Sequence, residues 1–255
     1  MTQPDGELDP SEQRTLRLEL VIVLAVTFGL SAVNAAFELA DAVLSGLSSR
    51  IVALNPMRSK YELINLGLNL TSVVELVAWG ALGVYLLWRS GSGLERVGLS
   101  PPRWRSDVVR GVGLAALIGL PGLGLYVVAR LLKLAAAVEP SALNDTWWRI
   151  PALVLAAFAN AWAEEVIVVA YLLTRLRQLN VSPAGALMWS SLLRGAYHLY
   201  QGFGAGLGNL VMGLVFGYVW QRTGRLWPLV IAHGIIDTVA FVGYALAARH
   251  LGWLP

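Results

Sequence analysis

Residues 151–173 read PALVLAAFANAWAEEVIVVAYLL. The run is long enough to cross a bilayer, which takes about 20 apolar residues in a helix. Glu164 and Glu165 stand side by side in its middle. An ionised side chain at that depth costs roughly 2.5 kcal/mol on insertion scales and more than about 10 in simulations. Two adjacent carboxylates also repel, so one of the pair is expected to hold a proton. Packing alone gives no reason to keep such a pair, and its default meaning is a functional site within the membrane.

The rest of the chain has the same character. Of its 255 residues, 56% are hydrophobic and only 14% are charged, with a mean hydropathy of +0.62. Soluble domains carry about 25% charged residues. The expected fold is all-α, a polytopic transmembrane helical bundle of about seven to eight spans. Seven are placed at about 18–44, 63–88, 108–132, 151–173, 184–200, 203–220 and 226–247, the third with a kink at Pro121. Residues 1–17 are polar and acidic and are expected to form a disordered cytoplasmic tail. Residues 18–150 form the leading spans, and residues 151–250 a helical core holding the ionisable groups. The first apolar run follows no basic segment and is too long for a signal-peptide core, so it is an uncleaved span.

Charge and composition exclude several functions. The net charge of +3 comes mostly from arginines between spans, so it reports topology and implies the lipid bilayer, not nucleic acid, as partner. The absence of cysteine excludes disulfides, thiolate zinc sites and a cysteine nucleophile. Arg14, Arg17, the cluster from Arg89 to Arg105, Arg175, Arg177, Arg222 and Arg225 fall on one side of a seven-span chain. Arg50, Arg58, Lys60, Arg149 and Arg249 fall on the other. The first set is larger, which puts the N-terminus in the cytoplasm of a multi-pass, plasma-membrane protein. Trp147 and Trp148 suit the interface. Glu38, Asp41, Glu62 and Glu75 suit interfacial or packing roles.

The second half concentrates polar groups at membrane depth: Glu164 with Glu165, Arg194 with His198, Asn209, and His233 with Asp237. Arg194 and His198 are four residues apart and share a helix face, as do His233 and Asp237. None faces lipid cheaply, so the set is expected to converge on one water-accessible cavity. The bland alternative is two structural pairs, Glu165 with Arg194 and His233 with Asp237. Gly204, Gly208, Gly213 and Gly217 in the sixth span are expected to line one side and admit a close neighbour. Ser190 and Ser191 lie about two turns from His198, a weak arrangement for a serine nucleophile. The H-E-x-x-H zinc motif is absent. A desolvated glutamate acting as general base on water fits better, with one histidine positioning that water and a second facing a developing oxyanion. A proton-coupled transporter uses similar groups, but the chain is short and has no repeated halves. A non-proteolytic membrane scaffold or immunity protein is the other alternative.

Glu164-Glu165 on one span, His198 on the next and His233-x-x-x-Asp237 on a late span resemble the CPBP family of intramembrane proteases. That family includes the type II CAAX prenyl proteases (Rce1-like) and bacteriocin-processing and self-immunity proteins. The resemblance covers about residues 153–247. It implies an intramembrane endopeptidase that cuts a membrane protein or lipidated peptide. Glu164 is then the base, His198 its partner on the catalytic water, His233 and Asp237 the oxyanion site, and Glu165 a supporting carboxylate. It implies no cofactor, while leaving room for a divalent metal such as zinc on Glu164, His198 and His233. Two positions depart from the family pattern: Val169 replaces its arginine and Arg194 its phenylalanine. The expectation is that the guanidinium has moved between helices, so that Arg194 pairs with Glu165 and leaves Glu164 as the base.

Overall fold

The computed structural model describes residues 9–139 and 141–243. Residues 1–8 of the expected tail, the end of the expected last span and Arg249 lie outside them. Among the described residues seven main helices follow one another. They are α1 (Pro10–Ser45), α2 (Glu62–Arg89), α3 (Trp104–Leu131), α4 (Arg149–Gln178), α5 (Pro183–Tyr197), α6 (Phe203–Thr223) and α7 (Trp227–Gly243). All but α5 and α7 are long and apolar enough to cross a membrane. Pro121 lies inside α3 and does not end it.

Helix α1 starts earlier than the apolar pattern predicts. Asp9 caps it, accepting from the backbone N–H of Ser11 and Glu12, and Glu12 returns a bond to the Asp9 N–H, with Pro10 in the first turn. Residues 10–17 therefore belong to a helix and not to a disordered tail. A π turn, Ala25–Gly29, interrupts α1. Gly29 is required there, because a Cβ would lie 2.7 Å from the Leu24 carbonyl oxygen.

Successive helices run in opposite directions, giving the bundle two ends. At one end β1 (Ile51–Ala53) pairs in parallel with β2 (Ala137–Glu139), and Ala135 bridges Gly202. At this β end Trp148 is buried and donates its Nε1–H to Glu62 at 3.1 Å, while Trp147 alone of the pair is exposed. Asp41 pairs with Arg50 at 2.7 Å. The opposite end holds the connections α2–α3, α4–α5 and α6–α7 and most of the arginines; it is the basic end. There Arg225 grips the fully buried Asp107 through Nε and Nη2 at 2.9 and 2.7 Å, and Trp220 and Trp227 donate to the Val97 and Ser100 carbonyls. Arg175 reaches Glu19 on α1 at 2.8 Å and the Leu86 carbonyl on α2 at 3.0 Å.

Close packing centres on α4, of which residues 161–173 are almost wholly buried. The expected single glycine face of α6 is in fact two. Gly213 and Gly217 leave room for Ser191 and Leu187 of α5, while Gly204 and Gly208 face Ala129 and Leu125 of α3. The five-residue step from Gly208 to Gly213 turns about 140° around a helix, which sends the pairs to opposite sides.

Candidate active site

Helix α4 is regular up to Glu164 and then widens into a π turn over Glu165–Tyr171. The two glutamates straddle this junction, the kind of place where π turns recur at functional sites. Ser190 of α5 donates its hydroxyl to the Val168 carbonyl inside the wide turn at 2.6 Å, and Ser191 donates to Leu187 of its own helix. Both serines are thereby spent on backbone.

The glutamates have different partners. Glu165 is fully buried, and its Oε1 accepts from Arg194 Nη2 at 2.7 Å and from His233 Nδ1 at 2.7 Å. Glu164 accepts from Asn160 Nδ2 at 3.0 Å and from the Tyr197 hydroxyl at 2.6 Å, with Arg194 Nη1 3.6 Å away. Arg194 is itself fully buried and lies over the Phe216 ring at 5.8 Å. The guanidinium comes from α5, and Val169 is buried in the apolar core. Glu165 thus makes the close ion pair with Arg194, and Glu164 is held by two neutral donors with the guanidinium farther off, at 3.6 Å.

His198 sits just past α5, whose last residue is Tyr197, and not within a span reaching residue 200 as the apolar pattern predicts. The Gly202-Phe203 restart and the 3-10 turn over Leu199–Gln201 account for the early stop. At that position the ring serves the helix end: His198 Nδ1 lies 3.0 Å from the Arg194 carbonyl. A carbonyl only accepts, so Nδ1 carries the hydrogen and a neutral ring presents the Nε2 lone pair. On α7, His233 Nε2 lies 3.5 Å from Asp237 Oδ2, which accepts from Asn160 Nδ2 at 2.9 Å. Asn160 therefore ties Glu164 to Asp237.

The structure brings Glu164, Glu165, Arg194, His198, His233 and Asp237 into one cluster. It does not bring in Asn209 by any hydrogen bond of this cluster; the amide donates to Ala205 of its own helix at 3.1 Å. Two members were missed in the sequence. Asn160 is four residues before Glu164 and Tyr197 three after Arg194, so helical spacing marks both. A third neighbour has no such signal: Phe28, turned inward by the π turn of α1, packs on Tyr197 at 4.9 Å and on Trp79 of α2 at 5.4 Å.

A guanidinium lies within 3.6 Å of both carboxylates, where it opposes a second cation. Among the described residues no three of the His, Asp and Glu side chains form a ligand group.

Residues 146–239 match the family model described as type II CAAX prenyl endopeptidase, Rce1-like. The matched segment contains every group of the cluster. No curated protein and no solved structure gives a match.

Proposed function

Because residues 146–239 match the Rce1-like family model, that of an endopeptidase family, and the chain is an integral membrane protein, we propose that it hydrolyses a peptide bond of a membrane-associated or lipidated substrate with water activated by Glu164. The observation that carries this reading is the unequal bonding of the two glutamates. Glu165 is neutralised by Arg194 at 2.7 Å, whereas Glu164 is oriented by Asn160 and Tyr197.

In this mechanism Glu164 takes a proton from water as the oxygen attacks the scissile carbonyl carbon. His198 Nε2 accepts a hydrogen bond from the same water and orients it. The carbonyl bond opens to an oxyanion. A His233 carrying both ring hydrogens donates through Nδ1 to Glu165 and turns Nε2–H to the oxyanion, with the Asp237 carboxylate 3.5 Å from the same Nε2 to support its charge. The C–N bond then breaks, and Glu164 returns the proton to the leaving amine. Glu165 and Arg194 position His233 and Tyr197. No step uses a metal. The protein lies in the plasma membrane with its N-terminus in the cytoplasm, by the arginine bias.

The test is cleavage of a membrane-anchored or lipidated peptide library by purified protein in detergent. Activity that is lost in Glu164→Gln and His198→Ala, but kept in chelator, is expected. Activity unchanged by both substitutions would end the hydrolase reading in favour of a membrane scaffold. Loss in chelator would end the metal-free mechanism.

A further inference from the structure

The cluster is exposed on one side only. Glu165 and Arg194 are fully buried, and Glu164 and His233 are 2% exposed. Toward the basic end, residues 166–173 of α4 and Leu229 to Ala232 of α7 (Ile231 excepted) close over them. Toward the β end, Asn160, His198 and Asp237 are partly exposed, and Val239, half a turn beyond Asp237, is 63% exposed. The part of α4 that carries the glutamates packs against α2 and α7, and α5 packs against α6 and α1.

The same axis carries the charge asymmetry. The α2–α3 connection holds Arg96 and Arg103, flanked by Arg89 of α2 and by Arg105 and Arg110 of α3, and Arg177 and Arg222 mark the next two helix ends on that side. The β end carries fewer basic residues among the described ones: Arg50, Arg58, Lys60, Arg130, Lys133 and Arg149. Lys and Arg near span ends accumulate on the cytoplasmic side. The open side of the cluster therefore points away from the cytoplasm.

We propose that the site is entered from the extracytoplasmic face, and that its substrate is the membrane-proximal, exported segment of an anchored polypeptide, not a lipidated tail in the cytoplasm. The direction of entry follows from geometry and charge alone; the substrate class rests on the endopeptidase reading above. A segment held near the outer surface by its own anchor reaches Asn160, His198 and Asp237 without crossing the bundle. A cytoplasmic tail meets the buried residues of α4 first.

The chain has no cysteine, so single cysteines report topology without background. Ser49→Cys at the β end and Glu95→Cys at the basic end are both exposed positions. In intact cells a membrane-impermeant maleimide is expected to label Ser49→Cys, and to label Glu95→Cys only after permeabilisation. The reverse pattern overturns the proposal whatever the activity. The second arm uses two reporters, with one cleavable segment placed on either side of a single anchoring helix. Cleavage of the outer reporter, and its loss on moving the segment inside, is expected. Cleavage of the inner reporter alone overturns the proposed substrate and leaves the endopeptidase standing. If neither is cut while labelling is as expected, the endopeptidase reading falls, and the substrate class with it.

Discussion

At the scale of single residues, two neighbouring carboxylates differ because their partners differ. On the proposed mechanism, replacing Glu164 with Gln removes the base, while its amide oxygen still accepts from Asn160 and its NH2 donates to the Tyr197 oxygen. Turnover should fall by about 10²–10⁴-fold, measured on a peptide substrate, with thermal stability in detergent little changed. Glu165→Gln should do the opposite in stability. It leaves the fully buried Arg194 with only the longer 3.6 Å pair to Glu164, and breaking a buried pair costs about 3–5 kcal/mol. Thermal unfolding should show the loss, and adding Arg194→Met should recover part of it. The swap Val169→Arg with Arg194→Phe restores the family arrangement and should keep more activity than Val169→Arg alone, which buries a second guanidinium in apolar core. The pairing of Arg194 with Glu165 was legible in the sequence, because charges at membrane depth have few places to go. Asn160 was missed, although its spacing from Glu164 marks it. Phe28 was not legible, since only the irregular turn of α1 aims it at Tyr197.

At the scale of elements, the apolar pattern located each helix but misjudged ends and faces. Capping chemistry decides the start of α1, and it is sensitive to pH. The Ser11 hydroxyl, then the Glu12 and Ser11 amides, hold the Asp9 carboxyl below its ordinary value of 3.8. The depressed value means the cap is complete above that ordinary value and is lost as pH falls through the depressed one. Hydrogen exchange should show the first turn of α1 fraying on acidification, with the later turns protected; an unchanged first turn would exclude the cap. The glycines of α6 have the same lesson. Spacing by four and then five residues reads as one stripe until it is wound around 3.6 residues per turn, when it becomes two contacts. Gly213→Val would bring a Cβ within 2.9 Å of Ser191 Cα. Such overpacking costs about 1–3 kcal/mol, and because it pushes α5, peptide cleavage should fall along with the melting temperature.

At the scale of the whole molecule, the basic end has a clamp of its own, Arg225 on Asp107. Asp107 raises the Arg225 guanidinium still further above its ordinary value, chiefly through the hydrogen bond between them. Arg225→Ala strands a fully buried carboxylate and should destabilise by about 3–5 kcal/mol, seen as a lower melting temperature with the cluster's chemistry intact. Neither this clamp nor the parallel pairing of β1 and β2 could be read from the chain, because each joins residues far apart in sequence through loops with no periodicity. Running between the two ends is α4, and its π turn holds one residue more than a regular helix would need. Excising a single residue from that turn would let the α-helix run through unbroken. Everything on one side of the cut would then swing by about 100° relative to the other. With Arg175 still anchored to α1 and α2, Asn160 and Glu164 would face a different neighbour, much as a key turned one notch no longer meets its pins. The surplus residue therefore sets the phase between the half of α4 that anchors and the half that carries the carboxylates.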